Sequence, residues 1–494
     1  MADQTTLPET SFVGGTGAGK PPEAMALVIG WAADEAGRLG EAAIVPSGRN
    51  ETRRVLGRGG PESPNEEPRL SFARIRPGSV EPTGPLSSPR ISRVQLAVRA
   101  KDEGLLEIEN VGRCPLLHNG LPATTAFVRH GDVLELGKQM LLVCVRRDAW
   151  IRQVEGLPEA AHEFGRVDRH GFVGESPAMW RLREQVSFVA SRRTHALIFG
   201  ESGTGKELVA RALHAMSSRG GRAIVARNAA TLPETLVDAE LFGSARNYPN
   251  AGMPERPGLV GLANGSTLFL DEFAELPFAL QTHLLRVLDG GEYHRLGDAR
   301  PYAADIRFIG ATNRPAEALR DDVLARFAMR LVVPSLDERV EDVPLLACHL
   351  LRKMATDDDL VARRVFPGGD LSEPPKLTTT LVRGLVRGRY ETNVRELEST
   401  LWRWVVGGQV DGGGALLERD DRSGSAPPPA SRAYDAAAAL AAGGPAPDQI
   451  QACLDEHNGS VEKAWRALGL SSRFALSRLI KKHGLVIRKR SGGP

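Results

Sequence analysis

Lys206 closes the stretch Gly200-Glu201-Ser202-Gly203-Thr204-Gly205-Lys206-Glu207, in which three glycines and a lysine keep a G-x-x-x-x-G-K spacing. Glycines leave the loop backbone unobstructed, so successive N–H groups can cradle phosphates while the lysine reaches the terminal phosphoryl oxygens. An apolar run, 196–199, precedes the loop and a helical pattern, LVARALHAM at 208–216, follows it. A glycine turn with an ordinary surface lysine would need neither flank. The hydroxyl residue that usually follows the lysine is Glu207 here, which removes one common Mg²⁺ ligand. Further on, Asp271 and Glu272 end the apolar run TLFL. A carboxylate at the end of such a strand can hold Mg²⁺, and its neighbour can polarise an attacking water.

These residues need a parallel sheet to bring them together. Apolar runs at 196–200, 267–271 and 306–311 alternate with helical patterns, which predicts an α/β domain over 172–335 followed by a helical lid over 336–406. Before it, 24–147 reads as all-β: MALVIGWA, RRVLGRG, LSFARI, VQLAVRA, LLEIENV and DVLELG are separated by Gly, Pro and Asn turns. Residues 1–23 read as a polar, disordered tail, 148–171 as a charged connector, and the Gly/Ala/Ser/Pro-rich 407–445 as a flexible linker. Three helical patterns over 447–485 then mark a domain at 446–494, with Ala464, Trp465, Leu468, Leu476 and Leu479 forming an apolar seam suited to a helix-turn-helix.

Composition sets outer bounds. The chain has 494 residues, 41% hydrophobic and 25% charged, with a net charge of +2. That is a soluble, multidomain composition, and any basic surface must be local. Four scattered cysteines without a CxxC fit unpaired thiols in a reducing compartment. No apolar run is long enough to span a membrane, and the N-terminus lacks a leader pattern, so the expected location is cytoplasmic.

Three resemblances add to this reading. The segments around Gly57-Arg58, Ser92-Arg93 and Asn119-Gly120 resemble a forkhead-associated (FHA) domain, a β-sandwich that binds phosphothreonine peptides. The resemblance implies that Arg58, Ser92, Arg93 and Asn119 grip the phosphopeptide, the arginines through a planar two-bond fork. Two positions depart from it: Gln95 stands where the family has histidine, and Arg113-Cys114-Pro115-Leu116 replaces its S-x-N-G.

The central stretch is similar to the AAA+ domain of bacterial enhancer-binding proteins, the activators of sigma-54 RNA polymerase. GESGTGKE is that family's own form of the loop. The resemblance implies ATP and Mg²⁺ as cofactors and a homo-oligomeric ring, hexamer or heptamer. It assigns Asp271 to the metal, Glu272 to water, Asn228 to restraint of that glutamate and Asn313 to sensing the terminal phosphate. Arg320 and Arg326 would reach the neighbouring subunit's nucleotide, Arg395 would contact ATP from the lid, and Val173-Gly174 would flank the adenine.

The C-terminal part resembles a Fis-type DNA-binding domain. There Arg473, Ser477, Arg478, Lys481 and Lys482 would line the recognition helix, followed by the basic Arg488-Lys489-Arg490.

The departure with most functional weight lies at 247–252. The family carries G-A-F-T-G-A on a loop that touches sigma-54; here the stretch is Asn247-Tyr248-Pro249-Asn250-Ala251-Gly252. Proline fixes φ and removes an N–H, so this loop differs in backbone as well as in side chains. Three functions follow: a sigma-54 activator with FHA input and DNA-bound output; an ATP- and DNA-binding regulator that leaves sigma-54 alone; or a stand-alone P-loop enzyme such as a kinase. The presence of a DNA reader and the absence of an acceptor-substrate domain disfavour the last. Expected partners are an enhancer-like DNA site, sigma-54 polymerase and a phosphothreonine protein or other ligand of the sandwich, with no membrane.

Overall fold

Two N-terminal runs, MALVIGWA and MLLVCV, are continuously apolar instead of alternating, and strands of that kind need cover on both faces. The structure, a computed structural model, describes residues 21–46, 52–59, 67–101, 104–153, 162–233, 235–407 and 447–456, with Leu468 and Ile480. The N-terminal part is all-β, as its turn-punctuated runs predict. Its strands are β1 (Glu23–Ala32), β2 (Ala42–Val45), β3 (Arg54–Leu56), β4 (Ala73–Arg76), β5 (Ser79–Pro82) and β6 (Leu96–Ala100). Strands β7 (Leu106–Asn110), β8 (Leu116–His118), β9 (Leu121–Ala123), β10 (Thr125–Val128), β11 (Val133–Leu136) and β12 (Met140–Asp148) follow. They form an eight-stranded sheet, β5-β4-β2-β1-β12-β11-β8-β9, and a four-stranded sheet, β10-β7-β6-β3.

The two long apolar strands pair antiparallel at the centre of the larger sheet, from Glu23 opposite Asp148 to Ala32 opposite Met140. On one face Leu27, Ile29, Leu142 and Cys144 pack with Leu96 and Ile108 of the smaller sheet. The other face carries Ala26, Val28, Leu141, Val143 and Val145, and it is buried too.

The central domain is a five-stranded sheet in the order β14-β15-β18-β13-β19, parallel throughout. Its strands are β13 (Ala196–Phe199), β14 (Val225–Asn228), β15 (Thr267–Asp271), β18 (Arg307–Thr312) and β19 (Met329–Val332); β16 (Glu292–His294) and β17 (Pro301–Ala303) make a separate hairpin. Helices α1 (Pro177–Ala190), α2 (Lys206–Ala215), α3 (Val237–Phe242), α4 (Gly258–Leu262), α5 (Phe278–Gly290) and α6 (Asp321–Leu324) belong to this domain. A fully buried Arg307 donates to the carbonyls of Val189, Ala190 and Leu213, anchoring the ends of α1 and α2 to the sheet. Burial, with a smaller push from Arg219, lowers its pKa to about 10.

Four helices form the lid: α7 (Val343–Asp357), α8 (Asp359–Val365), α9 (Thr379–Arg387) and α10 (Asn393–Val406). Leu345, Leu381, Val382 and Leu385 of the lid cover the second face of the large sheet, so sandwich and lid share one core. Each fully buried Leu or Val side chain contributes roughly 1.5–3 kcal/mol. Gly30 permits the approach of α7, because a Cβ there would lie 2.8 Å from Leu141 and 3.4 Å from Pro344.

Two ion pairs edge this contact. Arg383 of α9 donates to Glu135 at 2.5 Å, and Arg147 of β12 donates to Glu341 at 3.1 Å. Glu341 is almost wholly buried, and that burial outweighs Arg147, so its carboxyl titrates at about 7.

Of the C-terminal region, α11 (Pro447–Glu456) is described, with Ile450, Cys453 and Leu454 buried along one face. The recognition residues Arg473, Ser477, Arg478, Lys481 and Lys482, the basic tail, and nearly all of the 407–445 linker lie outside the described residues.

Glu341 generates a test. Its pKa in the folded chain is raised from 4.5 to about 7, so the folded state holds this proton longer than the unfolded one. Its contribution is complete below about 4.5 and is lost as pH rises to about 7. Glu341→Gln should remove a stability slope of up to about 1.4 kcal/mol per pH unit in that window. Urea unfolding at a series of pH values, compared with the parent chain, measures it; identical slopes would refute the assignment.

Candidate nucleotide site

The glycine loop 200–205 follows β13, the strand flanked by β18 and β19, and it leads directly into α2 with Lys206 as the first helical residue. Gly205 sits at φ +103 as the helix N-cap, and Gly203 at φ +74. Both values favour glycine, and a Cβ on Gly203 would lie 2.1 Å from the carbonyl oxygen of Thr392 in the lid. The Lys206 ammonium donates to the carbonyls of Gly200 (2.9 Å) and Glu201 (3.1 Å), which fixes it at the loop's centre. Its pKa is lowered, mainly by burial, against an opposing pull from Glu272 and Asp271 and a push from Arg395. Glu272, Asp271 and Arg395 thus lie near enough to Lys206 for their charges to act on it. Glu207 turns the other way, accepting Arg211 at 2.7 Å along the exposed face of α2, so it supplies nothing to a metal from there.

Asp271 ends β15 and Asn228 lies opposite it at the end of β14. The Asp271 carboxylate accepts the Glu272 N–H at 2.9 Å, and Glu272 adopts a left-handed φ of +49. Its Oε2 is buried with no hydrogen-bond partner among the described residues. An orphaned carboxylate oxygen beside a lysine and a second carboxylate suits a water or a metal-bound ligand. The Asn228 side chain accepts the Ala230 N–H at 2.9 Å; among the described residues no hydrogen bond joins it to Glu272. Asn313, exposed, follows the end of β18, on the same sheet edge as Asp271 and the loop.

The lid meets the loop through a residue that the sequence reading passed over. Asn393, at φ +49 on the first turn of α10, donates to the Glu201 carboxylate (3.0 Å) and the Ser202 carbonyl (3.1 Å) and accepts the Leu336 N–H (2.8 Å). Arg395, two residues on, is exposed, and its Cβ stands 3.2 Å from a Cβ built on Gly203. The NVRELE motif was legible; the use of its asparagine depends on a contact about two hundred residues back in the chain and was not.

Val173 is buried, and Gly174 holds φ +129 with the Asp342 carboxylate against its Cα. Asp342 accepts the Glu175 N–H (2.8 Å), the Ser176 N–H (3.0 Å) and the Ser176 hydroxyl (2.5 Å). Ser176 in turn caps α1, with Pro177 in its first turn, a start signal readable from the sequence alone. Arg183 donates to the carbonyls of Gly174 (2.8 Å) and Phe172 (3.3 Å) and is held by Asp168. The connector read at 148–171 is thus partly structural, since Asp168 also accepts the Phe172 N–H.

Arg320 and Arg326 are half-exposed and paired within the chain, Arg320 with Asp322 and Arg326 with Asp289. The 247–252 segment is a closed loop. Asn247, at φ +66, accepts the Gly252 N–H at 2.9 Å, and Ser244 and Arg256 exchange two backbone hydrogen bonds at its base. Tyr248 packs over Gly297 beside the β16–β17 hairpin yet remains 39% exposed, as does Met253, which leaves an apolar tip.

In the sandwich, Gly57-Arg58 lies flat on Ser92-Arg93: the Arg58 N–H donates to the Ser92 carbonyl at 2.9 Å, and a Cβ on Gly57 would meet the Arg93 carbonyl at 2.5 Å. The Ser92 hydroxyl accepts the Arg113 N–H at 2.9 Å. Gln95 is buried and ties Ser92, Asn110 and Cys114 together, so its position is a structural joint. Asn119 is placed elsewhere. It turns the β8–β9 hairpin, bonded to Asp132 (2.7 Å) and the Val133 N–H (2.9 Å), next to Arg383 of the lid.

Against known proteins, residues 172–334 match the family described as the Sigma-54 interaction domain. A Nif-specific regulatory protein of Azotobacter vinelandii is 36% identical over 302 residues, covering 58% of this chain and 54% of its own. The anaerobic nitric oxide reductase transcription regulator NorR of Salmonella arizonae is 38% identical over 269 residues, 52% of this chain and 50% of its own. A crystal structure of NtrX from Brucella abortus in complex with ATP is 27% identical, with a TM-score of 0.44, covering 65% of this chain and 70% of that one. The chain spans about half the length of these two curated relatives. The curated relatives that match this chain are named as regulators.

Lys206 and Glu272 should separate in their effects if one holds phosphates and the other orients water. Lys206→Ala should weaken ATP binding at least about tenfold. Glu272→Gln should retain binding and lose about a hundredfold or more in turnover. Fluorescent-nucleotide titration and phosphate release read the two; normal turnover in Glu272→Gln would remove Glu272 from the reaction.

Proposed function

We propose that this protein is a transcription regulator whose ATP-hydrolysing AAA+ ring acts on polymerase carrying sigma-54, with input through an FHA-type sandwich and output positioned on DNA. The observation that carries this reading is Lys206 held at the centre of the glycine loop, with the buried, unpartnered Glu272 carboxylate oxygen in the same domain, within the stretch that matches the Sigma-54 interaction domain. The loop N–H groups and Lys206 bind the phosphates; Glu272 orients the attacking water; Asn313 lies where the terminal phosphate would be felt. Mg²⁺ arriving with ATP would be held by Asp271 and would neutralise charge between the phosphates. Arg320 and Arg326 exchange their intrachain carboxylates for the neighbouring subunit's nucleotide on ring assembly, which makes hydrolysis depend on assembly. Arg58, Ser92 and Arg93 form the anion-facing part of the sandwich, with Arg113 beside them. Arg473, Ser477, Arg478, Lys481 and Lys482 read DNA.

A second reading is favoured by one observation. The 247–252 loop is closed on itself and carries Pro249-Asn250, so the protein would bind ATP and DNA without engaging sigma-54. Open-complex formation on a sigma-54 promoter, with purified protein and ATP, decides between them. Activity in the natural protein supports activation, with Tyr248 and Met253 as the contact tip. Activity only after residues 247–252 are changed to G-A-F-T-G-A supports the second reading.

Ring assembly has its own signature. ATPase activity per subunit should rise with protein concentration, and Arg326→Ala subunits should suppress parent subunits in mixed rings. Activity that stays constant down to dilutions where light scattering finds monomers would exclude action in trans.

A further inference from the structure

Among the described residues, one charged side chain of the sandwich reaches the segment that flanks the adenine side of the nucleotide site. Arg76 ends β4, and its guanidinium meets the Glu175 carboxylate with two bonds, Nε to Oε2 at 3.1 Å and Nη2 to Oε1 at 2.6 Å. Its remaining nitrogen donates to the His162 carbonyl at 2.9 Å, and the guanidinium lies 5.3 Å from the Phe164 ring and 5.5 Å from the Trp180 ring. Glu175 is 3% exposed and fully satisfied, since it also accepts the Gly165 N–H (2.8 Å) and the Trp180 indole N–H (3.1 Å). A buried carboxylate in that position depends on its cation; without one it must find another or gain a proton.

Glu175 directly follows Val173-Gly174. Its backbone N–H is held by Asp342, which also abuts Gly174 and caps Ser176. Asp342 adjoins Glu341, which pairs with Arg147 on β12 of the same sandwich. A closed circuit results, from β4 through Arg76, Glu175, Asp342 and Glu341 to Arg147 and back into the large sheet. The sandwich therefore fixes this segment from two sides.

We propose that Arg76 is a positioning residue for nucleotide binding, holding Val173-Gly174 through Glu175 so that the sandwich completes the adenine side of the site in cis. The inference rests on the ATP-binding reading above. It makes the sandwich a part of the nucleotide site, so a ligand that shifts the large sheet alters affinity through this contact without touching the phosphate loop.

The test uses the full chain with Arg76→Met, Arg76→Lys and Glu175→Gln. Affinity is read by titration with a fluorescent ADP, turnover by phosphate release, and local order by hydrogen exchange of residues 172–176. Arg76→Met should weaken ADP about tenfold with saturated turnover changed less than about twofold, and should expose the 172–176 amides. Arg76→Lys, which keeps the charge and loses the fork, should recover part of the affinity. Glu175→Gln should shift both readouts in the same direction by less. Unchanged affinity together with unchanged exchange in Arg76→Met would overturn the proposal, and so would protection lost evenly across the chain. If the parent chain failed to bind ADP, the ATP-binding reading would fall, while the exchange at 172–176 would still decide whether Arg76 positions that segment.

Discussion

A sheet that is apolar on both faces cannot end a domain; something must cover it. The β1 and β12 strands impose this constraint, and the helical lid meets it with Leu345, Leu381, Val382 and Leu385. At roughly 1.5–3 kcal/mol for each such side chain, the contact outweighs any surface ion pair at its margin. Arg383–Glu135 and Arg147–Glu341 at the edges give orientation instead: each fixes a helix or hinge of the lid against a particular strand. The buried pair is held at a cost in desolvation, and the raised pKa of Glu341 records it.

The nucleotide site inherits this geometry. The lid reaches the glycine loop through Asn393 and Thr392, and Asp342, just before α7, reaches the segment 174–176. Since the lid is joined to the sandwich by a common core, the position of α10 over the loop and the position of the sandwich are one variable. A sandwich joined to the lid this way is a fixed wall rather than a tethered neighbour. Its loops at Gly57-Arg58 and Ser92-Arg93 belong to the same sandwich whose large sheet contacts the lid.

Local chemistry was legible in the sequence where a short segment does its own work. The G-x-x-x-x-G-K loop and the strand ending in Asp271-Glu272 each need only neighbours along the chain, and each is formed as read. The continuous apolar character of MALVIGWA carried a further message, burial on two faces, but not the identity of the cover. Residues whose role depends on distant partners were silent: Asn393 gains meaning only against Glu201, and Arg76 only against Glu175. Asn119 shows the converse. Its place in a motif pointed to a ligand, while its side chain is taken up by Asp132 and Val133 in the turn of a hairpin. Gln95, which departs from the sandwich resemblance, likewise serves as a joint, tying Ser92, Asn110 and Cys114 together.

The central claim is that sandwich and lid are one cooperative body. Native-state hydrogen exchange across a denaturant series measures it directly, by comparing amides of β1 and β12 with those of α9. If the core is shared, the slowest amides of all three elements merge into a single unfolding isotherm with one free energy and one denaturant slope. Two separate isotherms, with α9 opening while β1 and β12 stay protected, would contradict the account.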